Sequence, residues 1–210
     1  MHKNNNLAEI LALAPVVPVM VINNIKHAVP MAKALVEGGL KTLEITLRTD
    51  CALEAVRRIV GEVEGGIVGV GTVNDPAQLQ AAHSAGAQFA VSPGTTDELL
   101  AAADDIALPY LPGVATPSEA MKLRSRGYRY LKLFPAEAVG GKALLKSIGD
   151  PLPDLKFCPT GGIKVTTAPE YLALANVICV GGSWMLPSEL VGKGNWEAIK
   201  QLAAEAAGLR

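Results

Sequence analysis

I-V-G-V-G-T-V-N-D-P, Ile67 to Pro76, joins two signals in one short stretch. The first seven residues are uncharged and rich in β-branched side chains, the pattern of a strand buried on both faces. Asn74-Asp75-Pro76 then offers a polar N-cap group followed by proline at the first helical position, where its missing N–H costs nothing. A doubly buried strand that runs straight into a helix is half of a parallel β–α unit. The fold depends on how often that unit recurs.

It recurs to both ends of the chain. Strand-like runs lie at 16–22, 42–47, 67–73, 89–94, 109–114, 130–135, 156–162 and 177–184. Between and after them, helical periodicity covers 27–38, 50–61, 76–85, 97–103, 117–126, 140–148, 167–175 and 195–207. Thr116-Pro117 is a second helix start, and Gly38-Gly39, Gly86 and Gly127 stand where helices stop. Eight such units, spaced by about 22–25 residues, predict an α/β fold that closes as a compact (β/α)8 TIM barrel. An open doubly wound sheet is the rival, but the G-x-G-x-x-G turn it calls for after the first strand is missing. An extra N-terminal helix, about residues 5–13, is placed to plug the barrel's bottom. No linker or shift of composition divides residues 1–210, so one domain is expected.

Composition narrows the partners. A net charge of -1 argues against nucleic acid or an anionic membrane, both of which call for a basic surface. No apolar run reaches the roughly 18–20 residues of a membrane span, and M-H-K-N-N-N has no signal-peptide profile, which points to the cytoplasm. Cys51, Cys158 and Cys179 are odd in number and scattered, and read as reduced core residues. His2, His27 and His83 form no cluster, so neither a metal nor any other cofactor is expected.

Side chains along a barrel strand alternate inward and outward, and chemistry gathers at the carboxyl ends. Glu44, Thr46 and Arg48 share one parity, as do Tyr130, Lys132 and Phe134, Cys158 and Thr160, and Cys179, Gly181 and Ser183. If these faces point inward, Glu44, Arg48, Lys132 and Thr160 meet at the mouth, with Thr72 beside them. Lys132 stands in an otherwise apolar strand, where a lone ammonium is costly. Two readings follow. In one, Lys132 and Glu44 form a structural ion pair. In the other, an amine in an apolar pocket near the Arg48 cation becomes a nucleophile that attacks a carbonyl to form a Schiff base, with Glu44 moving the protons. Arg48 offers a bidentate fork for a carboxylate, or is simply a solvated residue at a helix start.

Gly161-Gly162 and Gly181-Gly182 follow the last two strands, the usual place for a phosphate in such barrels, and Ser183 adds a hydroxyl. Pro93-Gly94 and Pro112-Gly113 end consecutive strands and shape the mouth, with Pro93 in reach of substrate. Asp104-Asp105, Glu62 and Glu64 read as solvated, and Trp184 and Met185 as core or interface. Glu137 has no derivable role beyond opening a loop.

The blocks G-G-L-K-T-L-E-I-T-L-R-T, G-V-G-T-V, Y-L-K-L-F-P-A-E, F-C-P-T-G-G-I and C-V-G-G-S-W closely resemble one family. It is that of the class I 2-keto-3-deoxy-6-phosphogluconate (KDPG) aldolases, also known as KDPG/4-hydroxy-2-oxoglutarate aldolases. The resemblance covers the chain from about residue 5 to the last helix. It implies cleavage of KDPG to pyruvate and glyceraldehyde 3-phosphate, as in the Entner–Doudoroff route, by a homotrimer without cofactor. By position, Lys132 matches the Schiff-base lysine and Glu44 the acid/base. Arg48 and Thr72 match the residues that hold the pyruvyl carboxylate, Phe134 packs beside the imine, and Thr160 contacts the sugar hydroxyls. The four glycines and Ser183 match the phosphate cradle. Val70 and Ala115 depart from the usual pattern, away from the chemistry. Thr160 favours the gluconate substrate over its galactonate epimer; a phosphosugar isomerase or epimerase and a non-catalytic phosphosugar binder are the other readings.

Overall fold

Strand and helix alternate through the whole of residues 6–209, the part of the chain that the computed structural model describes. The first half comprises α1 (Leu7–Ala12), β1 (Val16–Met20), α2 (Ile25–Glu37), β2 (Thr42–Thr46), α3 (Ala52–Glu62), β3 (Ile67–Gly71), α4 (Pro76–Ser84), β4 (Phe89–Val91) and α5 (Asp97–Asp105). The second comprises β5 (Tyr110–Leu111), β6 (Gly113–Val114), α6 (Pro117–Ser125), β7 (Tyr130–Leu133), α7 (Gly141–Gly149), β8 (Lys156–Pro159), α8 (Ala168–Leu172), β9 (Val180–Gly182), α9 (Ser188–Gly192) and α10 (Trp196–Ala207).

Every strand pair is parallel. One run is ordered β5-β4-β3-β2-β1-β9 and a second β6-β7-β8. Two joins close the ring into a (β/α)8 barrel. Pro112 splits the predicted fifth strand into β5 and β6, because proline brings no N–H to the ladder, yet its carbonyl still accepts from Lys132 N at 2.9 Å. At the other join, bridges between Phe157 and Val177 and between Thr160 and Gly181 tie β8 to the last wall.

The predicted caps form. Asp75 accepts from Gln78 N at 2.8 Å, and Thr116 and Glu119 make a reciprocal capping box. Helices cover the outside of the ring in one large apolar layer. Inside it lies a smaller cluster in which Leu7, Ile10 and Leu11 of α1 pack with Val17, Phe89, Val91, Leu111, Cys158 and Cys179. Inward-facing Thr42 donates from Oγ1 to the Ile10 carbonyl at 2.7 Å. Helix α1 is thus the expected plug, and burying its three apolar side chains contributes at most about 1.5–3 kcal/mol each.

Some local expectations change. α9 was not foreseen, and a 3-10 turn, Glu137–Val139, comes before α7. Cys51 is only half-buried, packed against the core at the start of α3 and donating to the Ile22 carbonyl at 3.0 Å. Asp104 is paired with Arg126 at 3.1 Å and not merely solvated. Met185 is buried, and Trp184 packs against the core with its ring over Gly182, where a Cβ would meet it at 1.9 Å. His27 packs edge-on to Trp196, and His2 lies outside the described residues. Among the described residues, no helix is long and apolar enough to cross a membrane.

Candidate active site

β2 and β7 occupy the second and sixth positions of the eight-walled ring, so their inward side chains face each other across its axis. Glu44 and Lys132 are both long enough to meet there. Lys132 Nζ donates to Glu44 Oε1 at 3.1 Å, and the two side chains are only 6% and 3% exposed. Removing either partner of such a pair would strand a charge in a nearly dry setting, at a cost of about 3–5 kcal/mol. The pair alone fits both sequence readings, so its surroundings decide between them.

Room for the Glu44 carboxylate comes from the adjacent strand. A Cβ on Gly71 would lie 2.0 Å from Glu44 Oε1. The next residue, Thr72, has φ 63°, a left-handed conformation that β-branched residues rarely adopt. Such strain costs of order 1–3 kcal/mol and gathers at functional sites. Here it brings Thr72 Oγ1 within 3.1 Å of Arg48 Nε, with Arg48 itself exposed. This bond orients the guanidinium, and Arg48 lines the cavity at the mouth.

Above the buried pair opens a cavity of about 170 Å³, lined by Val19, Arg48, Phe134, Thr160, Gly161, Gly162, Ile163, Gly181, Gly182 and Ser183. Phe134 connects the two levels, its ring centroid 5.3 Å from Lys132 Nζ. Gly161 and Gly162 have φ of 106° and 81°, which turn the chain sharply after β8. Gly181 leaves space for Thr160, whose Oγ1 would sit 2.2 Å from a Cβ there.

Eight of the sequence candidates thus line one cavity, and Lys132, Glu44 and Thr72 adjoin it. Pro93 is the outlier. Its backbone packs tightly against Gly113, the neighbour of Lys132 across the β6–β7 ladder, and it is not among the cavity-lining residues. Sequence reasoning passed over Val19, which the alternation of V-V-P-V-M could have revealed, and Gly71, whose role depends on a side chain from another strand.

The family model described as "Aldolase: KDPG and KHG aldolase" matches residues 7–202. The chain belongs to that family. It is 52% identical over 198 residues to the 2-dehydro-3-deoxy-phosphogluconate aldolase of Dickeya dadantii, covering 94% of this chain and 93% of that one. With the KHG/KDPG aldolase of Escherichia coli K12 it shares 50% identity over 197 residues, 94% of this chain and 92% of its relative. Among solved structures, the KDPG aldolase of Legionella pneumophila superposes with a TM-score of 0.93 at 44% identity, covering 96% of this chain and 98% of that one. In that aldolase, pyruvate was captured at low pH as a covalent carbinolamine intermediate.

Proposed function

We propose that this chain is a class I, Schiff-base aldolase that cleaves KDPG to pyruvate and glyceraldehyde 3-phosphate, and 4-hydroxy-2-oxoglutarate to pyruvate and glyoxylate. The observation that carries the reading is the buried Lys132–Glu44 pair set across the barrel axis, directly below a cavity ringed by Arg48 and two glycine pairs. A purely structural ion pair gives no reason for a cavity of that chemistry above it. Identity with the named aldolases supports the same reading.

In this reading each step uses a group at the site. Glu44 takes a proton from the Lys132 ammonium, and the freed amine adds to the C2 carbonyl of the substrate. Glu44 returns that proton to the carbinolamine hydroxyl, which leaves as water and gives a protonated imine. The carboxylate then removes the C4 hydroxyl proton, directly or through one water. The C3–C4 bond breaks, its electron pair moves toward the iminium to form an enamine, and the aldehyde departs. Protonation of C3 by Glu44 and hydrolysis of the imine release pyruvate and restore the lysine.

Arg48, held by Thr72, grips the substrate carboxylate, and Phe134 covers the imine and keeps water from it. Thr160 contacts the sugar hydroxyls and favours the gluconate epimer, while Pro93 shapes the wall nearby. Gly161, Gly162, Gly181, Gly182 and Ser183 receive the phosphate. We further propose that residues 1–210 act as one domain in the cytoplasm and assemble as a homotrimer, which sedimentation equilibrium tests.

The deciding experiment is incubation with pyruvate and borohydride, followed by peptide mapping. A reduced pyruvyl group on Lys132, with loss of KDPG cleavage, is expected. No adduct on the folded protein, or an equal adduct in Lys132→Ala, would sink the proposal.

A further inference from the structure

Glu137, which opens the loop after β7, is the charged residue of K-L-F-P-A-E that the chemistry leaves unused. Its carboxylate Oε1 accepts a 2.6 Å hydrogen bond from the Tyr171 hydroxyl, which comes from α8 on the far side of the Gly161-Gly162 turn. Tyr171 is fully buried, and Gly141 makes room for it, since a Cβ there would lie 2.6 Å from the hydroxyl. Burial first, and then the Glu137 carboxylate, push the Tyr171 phenol above its ordinary value, so it stays a donor. Lys142 Nζ lies over the ring, 5.8 Å from its centroid, and pairs with Glu170.

This bond lies directly behind the turn. Ala136 N donates to the Thr160 carbonyl at 2.8 Å and Glu137 N to the Gly161 carbonyl at 3.1 Å, so the two loops are zipped together. The Glu137 stem then backs Gly162, where a Cβ would come within 2.8 Å of both Glu137 Cβ and Cγ. A carboxylate pinned by Tyr171 holds that stem against the turn. One left unpinned swings toward water, and Gly162 loses its support.

We propose that the Glu137–Tyr171 bond is a positioning strut that fixes the Gly161-Gly162 backbone as an anion cradle, so that phosphorylated substrates depend on it and unphosphorylated ones do not. It rests on the aldolase reading for its substrates but not for the cradle. Neither residue touches the reacting atoms.

Tyr171→Phe deletes one oxygen and keeps the buried ring, Glu137→Ala removes the strut, and Glu137→Gln keeps an acceptor at the same place. Loss of a hydrogen bond to a charged group should weaken inorganic phosphate binding, measured by calorimetry, about tenfold in Tyr171→Phe and Glu137→Ala. KM for KDPG should rise by about the same factor with kcat held within about twofold, and kcat/KM for 4-hydroxy-2-oxoglutarate should stay within about twofold. Glu137→Gln should recover to within about threefold of the parent. Unchanged phosphate affinity in the first two variants overturns the strut, and so do equal losses on both substrates, the mark of general structural damage. If the parent protein traps no pyruvate, the aldolase reading fails, while phosphate calorimetry still decides the strut.

Discussion

Replacing Gly71 by alanine adds one methyl group to a strand that carries no proposed chemistry of its own. Gly71 is not among the residues with positive φ, so its backbone accepts a Cβ. The obstacle is Glu44, whose Oε1 would be 2.0 Å away and whose Cδ and Cγ would each be 2.7 Å away. Carbon and oxygen cannot approach so closely, so the carboxylate must retreat by at least about 1 Å. The present 3.1 Å bond to Lys132 then opens to about 4 Å, beyond hydrogen-bonding range. Overpacking of this kind costs about 1–3 kcal/mol of stability, well within what a domain of this size tolerates. Displacing an acid/base group by about 1 Å costs about 100-fold in rate. The expected Gly71→Ala protein is therefore folded, slightly less stable in urea, and about 100-fold slower in kcat on KDPG. Urea titration and single-turnover kinetics on the same preparation measure both quantities. A folded variant with full kcat would refute the argument that Glu44 must reach Lys132 to work. An unfolded one would refute the argument that β3 tolerates the methyl group.

Three further predictions rest on other contacts. Arg48→Lys loses the Nε bond to Thr72 and the planar fork, so KM for KDPG should rise about tenfold; Arg48 is exposed, so the melting temperature should hardly move, and a thermal scan beside the kinetics checks both. Ser92→Ala leaves two buried groups without their partner, the Tyr110 hydroxyl at 2.6 Å and the Gly113 N–H at 3.3 Å, and should cost about 1–3 kcal/mol in the urea midpoint. Glu119→Gln tests an acid-sensitive cap. Desolvation pulls this carboxyl upward, but hydrogen bonds from the Ala115 N–H, the Thr116 hydroxyl and the Thr116 N–H outweigh it, leaving the group below its ordinary value. A carboxyl lowered in the folded state contributes its stability above the ordinary carboxylate range and loses it as pH falls through the folded value. The parent should therefore lose stability across that acidic window while Glu119→Gln changes less, which urea midpoints measured as a function of pH would reveal.

The barrel was readable because its signals are local. Strand runs, N-caps and glycine stops each lie within a few residues, and the repeat of eight fixes the closure. Parity carried the reading further, placing Glu44, Lys132 and Thr160 on one inward face without any contact information. α9 escaped because five residues after Pro187 span too little of a helical period to register. The split at Pro112 was visible as a proline, but whether the wall breaks or merely loses a bond depends on the neighbouring strands. Glu137 looked idle for a deeper reason: Tyr171 stands 34 positions along the chain, and nothing near either residue names the other. Gly71 was passed over likewise, since its importance belongs to the carboxylate of a different strand.

Helix α1 seals the lower end of the ring, with Thr42 fastened to the Ile10 carbonyl. Among the described residues the lower end is stoppered in this way, which leaves the mouth at the carboxyl ends of the strands as the route in and out. Lys132, 5% exposed, sits at the far end of that passage. On the proposed mechanism, the fragment tethered to it is the inner guest, and the aldehyde stands between it and the mouth. Departure of the aldehyde before pyruvate is therefore a matter of queueing as well as of bond order. In the synthetic direction the same geometry requires pyruvate to enter first, and an aldehyde that arrives early would block the way.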